Sequence, residues 1–347
     1  MSPDHSVSQN LTPKLSDIPV SILDLAPITA EGTAADSLRN TLDLAQHADQ
    51  WGYNRYWLAE HHNMPGIASS ATSVVIGHVA AGTTRIRVGS GGIMLPNHSP
   101  LVIAEQFGTL ESLFPGRIDL GLGRAPGSDQ LTSQALRRGP GSNGMDFPER
   151  LNELRNYFNP PATGSSTRVR AIPGEGLNIP IWLLGSSGFS AELSGRLGLP
   201  FAFASHFAPE YLLPALEIYR SQFRPSEALA QPYAMIGVSV IVADSDEEAR
   251  RLATSQEQQF LNLIRGRTGP LQAPVDNMDT LWNAQEKAIV RSKFSYAAVG
   301  SPDTVRKILE SHLQETGADE MIVSAQVYDH KARLRSYELL AEMFNKK

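Results

Sequence analysis

Eight short apolar runs alternate along this chain with stretches of helical periodicity, and that alternation most limits what it can fold into. The runs cover 18–25, 53–62, 86–95, 117–123, 179–185, 200–205, 233–243 and 321–325. Most are continuously apolar rather than alternating, as strands buried on both faces are. The segments between them carry helix punctuation. Ser99-Pro100 opens one helix, Ser301-Pro302 opens another that Gly317 closes, and Gly52 closes a third. Strand–helix alternation implies an α/β protein with a parallel sheet, and a count of eight points to a (β/α)8 TIM barrel. A doubly wound open sheet competes. It is disfavoured because no Gly-x-Gly-x-x-Gly follows the first run, and glycines gather instead at several strand ends.

Two long excursions, 124–180 and 265–299, read as insertions after strands 4 and 7, the first carrying a helix near 147–158. Residues 1–16 are polar, lack the apolar core of a secretory signal and read as a loose N-terminal tail, leaving 17–347 as a single domain.

Composition removes several function classes. A net charge of -6 and a pI near 5.9 give no electrostatic case for nucleic acid or a membrane surface. No apolar run approaches the ~20 residues of a membrane span. The chain has no cysteine, which excludes disulfides, Cys-ligated zinc, iron–sulfur clusters and thiol catalysis. That fits a cytoplasmic protein. Redox chemistry here must come from a bound cofactor.

In a barrel of this kind, chemistry sits where strands end in loops. The candidates there are Asp24, Glu60-His61-His62, Ser90-Gly91-Gly92, Arg124, Gly185-Ser186-Ser187 with Ser190, and His206. A Gly-Ser-Ser turn opening into a helix offers backbone N–H groups, hydroxyls and a positive helix end to a phosphate. Arg124 can supply a fork-shaped counter-charge. The plainer reading of Ser186 and Ser187 is a helix cap. Glu60-His61-His62 invites a metal, but adjacent strand residues face opposite ways, so only alternate members share an ion easily. A general base is the better reading of His61 or His62, and no metal is expected. Gly89, Gly91 and Gly92 read as a bulge, whose flat surface suits an aromatic ring.

Three motifs occur in order: Trp57-Leu58-Ala59-Glu60-His61-His62, Val88-Gly89-Ser90-Gly91-Gly92-Ile93-Met94-Leu95-Pro96 and Gly116-Arg117-Ile118-Asp119-Leu120-Gly121-Leu122-Gly123-Arg124. With Val299–Thr304 and Gly317–Glu320 near the end, they resemble the bacterial luciferase-like flavin monooxygenase family over nearly the whole chain. The resemblance implies a barrel that binds FMN, reduced elsewhere by a separate flavin reductase. Oxygen then adds at C4a, and the peroxyflavin oxidises a small organic substrate. It implies His61 as the catalytic histidine with His62 beside it. Gly91-Gly92 matches a bulge that often holds a non-prolyl cis peptide facing the flavin ring. Arg124, Ser186, Ser187 and Ser190 match the phosphate site, with Arg137 or Arg138 as a second cation. The later insertion matches an active-site lid. A homodimer is common, through helices beside strands two and three. Relatives that use a deazaflavin coenzyme for hydride transfer, or bind flavin without turnover, are the alternatives. Gly123 stands where the light-emitting members carry a reactive cysteine, so light emission is not implied.

Overall fold

The computed structural model describes residues 14–125, 129–136, 144–160 and 169–345, and in it the apolar runs form one closed sheet. The strands are β1 (Val20–Asp24), β2 (Arg55–Leu58), β3 (Arg87–Ser90), β4 (Ile93–Met94), β5 (Ile118–Gly123), β6 (Ile181–Gly185), β7 (Phe201–Phe203), β8 (Ala234–Val242), β9 (Ala298–Gly300) and β10 (Glu320–Ser324). The order β10-β1-β2-β3-β5-β6-β7-β8 closes because β10 pairs with both β1 and β8, every pair being parallel. This is a (β/α)8 barrel. The short β4 extends the sheet beside β5, and β9 lies against the far end of β8.

Helix ends follow their local chemistry. The first helix, Ala34–Trp51, is fixed by a capping box between Thr33 and Asp36 and closed by Gly52 at φ 83°. Gly317, at φ 54°, closes Pro302–Thr316 in the same way.

Side-chain alternation sorts each strand into an inner and an outer set. Leu23, Trp57, Trp182, Ala202, Met235 and Ile322 form the inner cluster. Trp57 and Trp182 meet edge to face at 5.2 Å. Beneath them lies a plug of charge. Arg55 pairs with Asp119 at 2.7 Å and with Glu320 at 3.0 Å, and Tyr233 donates to Glu320 at 2.9 Å. The outer residues pack against the helices as the larger core.

Several expectations change. Asp24, a rim candidate, faces outward. It accepts hydrogen bonds from Arg333 at 2.6 Å, Thr41 at 2.8 Å and the Ala26 N–H at 2.7 Å, and so anchors the last helix, His330–Phe344. Burial alone would raise its carboxyl pKa. The Arg333 charge, with hydrogen bonds from Tyr56, Thr41 and Ala26, outweighs burial and holds it below the usual carboxylate value. The run 53–62 is strand only over Arg55–Leu58. Residues 14–16, read as part of the tail, are not loose: Leu15 is fully buried at the start of a 3-10 turn, whereas 1–13 lie outside the described residues. The later insertion contains the helix Ala284–Lys293, in keeping with the mixed helix and loop character of its sequence, and β9, which the pattern did not mark.

Candidate active site

The C-terminal ends of the barrel strands surround a cavity of about 450 Å³. Its wall follows the inner set: Leu23, Trp57, Ala59, His61, Gly91, Gly123, Leu184, Ala202, Gly237, Ser239 and Ile322. The end of the helix Asp246–Ile264 and the insertion that follows it roof the cavity with Phe260, Leu263, Leu271, Lys293 and Phe294. Two backbone hydrogen bonds, between Ala30 and Leu271 and between Leu271 and Ile28, stitch that roof to the loop after β1. Gly66 lets it come close, since a Cβ there would lie 2.2 Å from the Gly269 carbonyl oxygen.

The two candidate histidines part company. His61 continues the inner parity of Arg55, Trp57 and Ala59 and lines the cavity. His62 belongs to the outer parity and does not line it, which removes it from contact with a substrate there. Its Nε2 lies 2.9 Å from Oε1 of Glu60, which is fully buried, and His98 Nε2 lies 2.9 Å from the same oxygen. The Met94 N–H donates to the other carboxylate oxygen at 3.0 Å. Burial would raise the Glu60 pKa, but the hydrogen bonds and charge of His98, with His62 and Met94, hold it below its usual value. The ligand-capable atoms of Glu60, His62 and His98 lie within 4.8 Å of one another. That is a two-histidine, one-carboxylate set of alternate residues plus one that spacing gave no means of finding. Here it works as a hydrogen-bonded clasp between the end of β2 and the segment after β4.

The same parity divides Ser90-Gly91-Gly92. Gly91 lines the cavity and Ser90 and Gly92 do not. The Ser90 hydroxyl donates to the Gly121 carbonyl at 2.8 Å and accepts from the Gly121 N–H at 3.0 Å, so it bridges two strands instead of meeting a cofactor. A Cβ on Gly92 would lie 2.7 Å from the Gly121 carbonyl oxygen, which makes this a close backbone crossing. The Gly91–Gly92 peptide is cis.

Arg124, Gly185, Ser186, Ser187 and Ser190 come together on the cavity wall. Ser187 is the N-cap of the helix Gly188–Leu197, yet its side chain makes no cap hydrogen bond, so the first N–H groups of that helix stay available. The Arg124 guanidinium lies 4.2 Å from the ring of Phe189, in the first turn of the helix. Among the described residues no carboxylate pairs with it. A cation, three serines and a positive helix end thus share one corner of an apolar cavity. Gly185 allows the tight turn, since a Cβ there would meet Ser190 Cβ at 2.7 Å. The corner suits a phosphate, and the glycine and aliphatic wall beside it suits a flat ring. Arg137 and Arg138 lie outside the described residues.

His206, in the turn after β7, the strand diametrically opposite β2, also lines the cavity. Burial, with the charges of Lys293 and His61, lowers its pKa to about 4, so the imidazole is neutral near pH 7. Its Nδ1 has no hydrogen-bond partner among the described residues.

Among the described residues no helix is long and apolar enough to cross a membrane. The profile of a family described as luciferase-like monooxygenase matches residues 18–320. The Bacillus subtilis (strain 168) protein YvbT is 59% identical over 94% of this chain and 97% of its own. An Escherichia coli (strain K12) protein named luciferase-like monooxygenase is 55% identical over the same shares. The Bacillus subtilis (strain 168) N-acetyl-S-alkylcysteine monooxygenase is 33% identical over 94% of this chain and 98% of its own. Among solved structures, apo-MsnO8 superposes with a TM-score of 0.83 at 35% identity, covering 94% and 98% of the two chains. The fold is shared more distantly, at 20% identity and a TM-score of 0.71, by the oxygenating constituent of 3,6-diketocamphane monooxygenase in complex with FMN, covering 94% and 97%. An F420-dependent secondary alcohol dehydrogenase shares it at 11% and 0.65, covering 95% and 100%.

Proposed function

The chain belongs to the luciferase-like monooxygenase family, and on that premise we propose that it uses reduced FMN and molecular oxygen to oxidise a small organic substrate. The observation that carries this reading is the corner where Arg124, lying over Phe189, meets the Ser186-Ser187 turn at the mouth of an apolar cavity. FMN ends in a single phosphate one ribityl chain from its ring, and the cavity offers one phosphate-like corner beside a glycine wall. When bound, the flavin supplies the oxygen chemistry. Arg124, Ser186 and Ser187 hold the phosphate and Gly91 gives the ring its backing. His61 holds or delivers a proton at the reacting face, and the roof from the insertion excludes water. His62 steadies that arrangement through Glu60 rather than by touching substrate.

A separate reductase supplies the reduced flavin. A second copy of the chain is proposed to cover the helices Thr72–Ala81 and Pro100–Leu113, where Val74 is 71% and Leu113 64% exposed. Light-scattering mass reads that directly, a dimer supporting the pairing and a monomer removing it.

The F420-dependent neighbour keeps hydride transfer as a second reading. One experiment separates them: oxygen uptake with reduced FMN in air, against turnover with reduced F420 under strict anaerobiosis. Oxygen uptake that depends on the protein, above the spontaneous oxidation of free reduced FMN, supports the monooxygenase, and anaerobic turnover alone would replace it.

A further inference from the structure

Beside the phosphate corner, on the β7 and β8 side, the cavity carries polar groups that flavin binding does not account for. His206 is half-buried on this side, and its Nδ1, packed against the Gly237 backbone, makes no hydrogen bond of ordinary geometry among the described residues. The fold makes room for this ring: a Cβ on Gly237 would lie 2.3 Å from that nitrogen. From the roof, Lys293 donates to the Phe207 carbonyl and sits 3.7 Å above the Phe207 ring, next to His206 in the chain. Among the described residues no carboxylate reaches ion-pair distance of Lys293, and Glu210 is the acidic group whose charge is felt there. Gln259 donates to the Gly269 carbonyl at 3.0 Å, while its own Oε1 is buried and unpartnered. The surfaces between these groups are Phe207, Phe260 and Phe294.

Buried polar atoms are almost always hydrogen-bonded, and a half-buried ammonium without a counter-ion has lost hydration that one carbonyl and an aromatic face replace only in part. An ammonium has three donors and Phe207 takes one. A neutral imidazole can donate from the nitrogen that has no partner. Both side chains line the cavity and suit an acceptor with negative charge there, inside a wall otherwise suited to hydrocarbon or aromatic groups.

We propose that Lys293 and His206 form a substrate subsite for the carboxylate of a small, otherwise apolar organic acid, with Gln259 Oε1 accepting from an N–H or O–H of the same molecule. This rests on the cavity also being the flavin site, and it names the substrate class for that site.

The test uses the full chain and calorimetric titration with straight-chain alkanoates of four to eight carbons, each paired with its uncharged alkanamide. The expected result is at least ten-fold tighter binding of the acids, lost in Lys293→Met, kept in Lys293→Arg, and weakened in His206→Phe. Equal affinities for acids and amides at every length, or a preference that survives Lys293→Met, would overturn it. FMN and riboflavin titrations of Lys293→Met run alongside. A loss confined to FMN would assign Lys293 to the flavin phosphate and overturn the subsite. Normal flavin binding without any acid preference sinks the subsite alone. Absence of flavin binding in the wild type instead removes the functional reading beneath it.

Discussion

Replacing Arg124 by Met should separate the phosphate of the flavin from its ring. Met keeps the apolar stem of the side chain and removes the five guanidinium donors and the charge. A hydrogen bond to a charged group contributes about 1.5–3 kcal/mol. Arg124 is half-buried and, among the described residues, has no competing carboxylate, so that range applies without discount for an existing partner. At about 1.4 kcal/mol per decade, FMN affinity should fall roughly ten- to hundred-fold. The lost contact with Phe189 contributes about 0.5–1 kcal/mol, and it acts on the fold and not on the ligand. Riboflavin, which has the same ring and no phosphate, should therefore bind wild type and variant within a few-fold of each other. Quenching of flavin fluorescence measures all four affinities. Equal losses for FMN and riboflavin would show that Arg124 serves the ring or the fold. No loss for either would put the phosphate elsewhere, and either outcome refutes the assignment.

His61→Ala should lower oxygen-coupled turnover by about 10²–10⁴-fold, the usual range for a positioned proton-transfer group, with FMN affinity changed only slightly. Unchanged oxygen consumption on an electrode would remove His61 from the chemistry. Below pH 6.5 His206 should weaken the fold. Its folded-state pKa is near 4 against 6.5 for the free side chain, so the unfolded chain binds the extra proton first. Stability is then lost as pH falls through that window, by about 3 kcal/mol in full. His206→Gln should flatten the slope in urea titrations between pH 6.5 and 4, and an unchanged slope contradicts the burial assigned to it. Arg333→Met leaves the fully buried Asp24 without its cation and should cost about 3–5 kcal/mol of unfolding free energy. A shift below about 1 kcal/mol would mean that Tyr56 and Thr41 suffice to hold that carboxylate.

The barrel was legible because most buried strands are continuous apolar runs with their own punctuation, and a period of two then fixes which residues face inward. The same parity, carried past the end of β2, separates His61 from His62, and carried past β3 it separates Gly91 from Ser90 and Gly92. It was available in the sequence and would have withdrawn three of the candidate residues. Other features lay beyond it. His98 joins Glu60 and His62 from a different element, and no local spacing links positions 60 and 98. Lys293 reaches the cavity only because the insertion after β8 folds back over the barrel mouth, a path decided by tertiary contacts such as the Ala30–Leu271 hydrogen bond. The partnerless nitrogen of His206 is likewise a property of packing around Gly237.

The most direct measurement is the electron density of crystals soaked with FMN. The expected result is a phosphate held between Arg124 and the Ser186-Ser187 turn, with the ring lying against Gly91 and both His61 and His206 facing the space beside it. Density for flavin outside this cavity, or a phosphate remote from Arg124, would contradict the account.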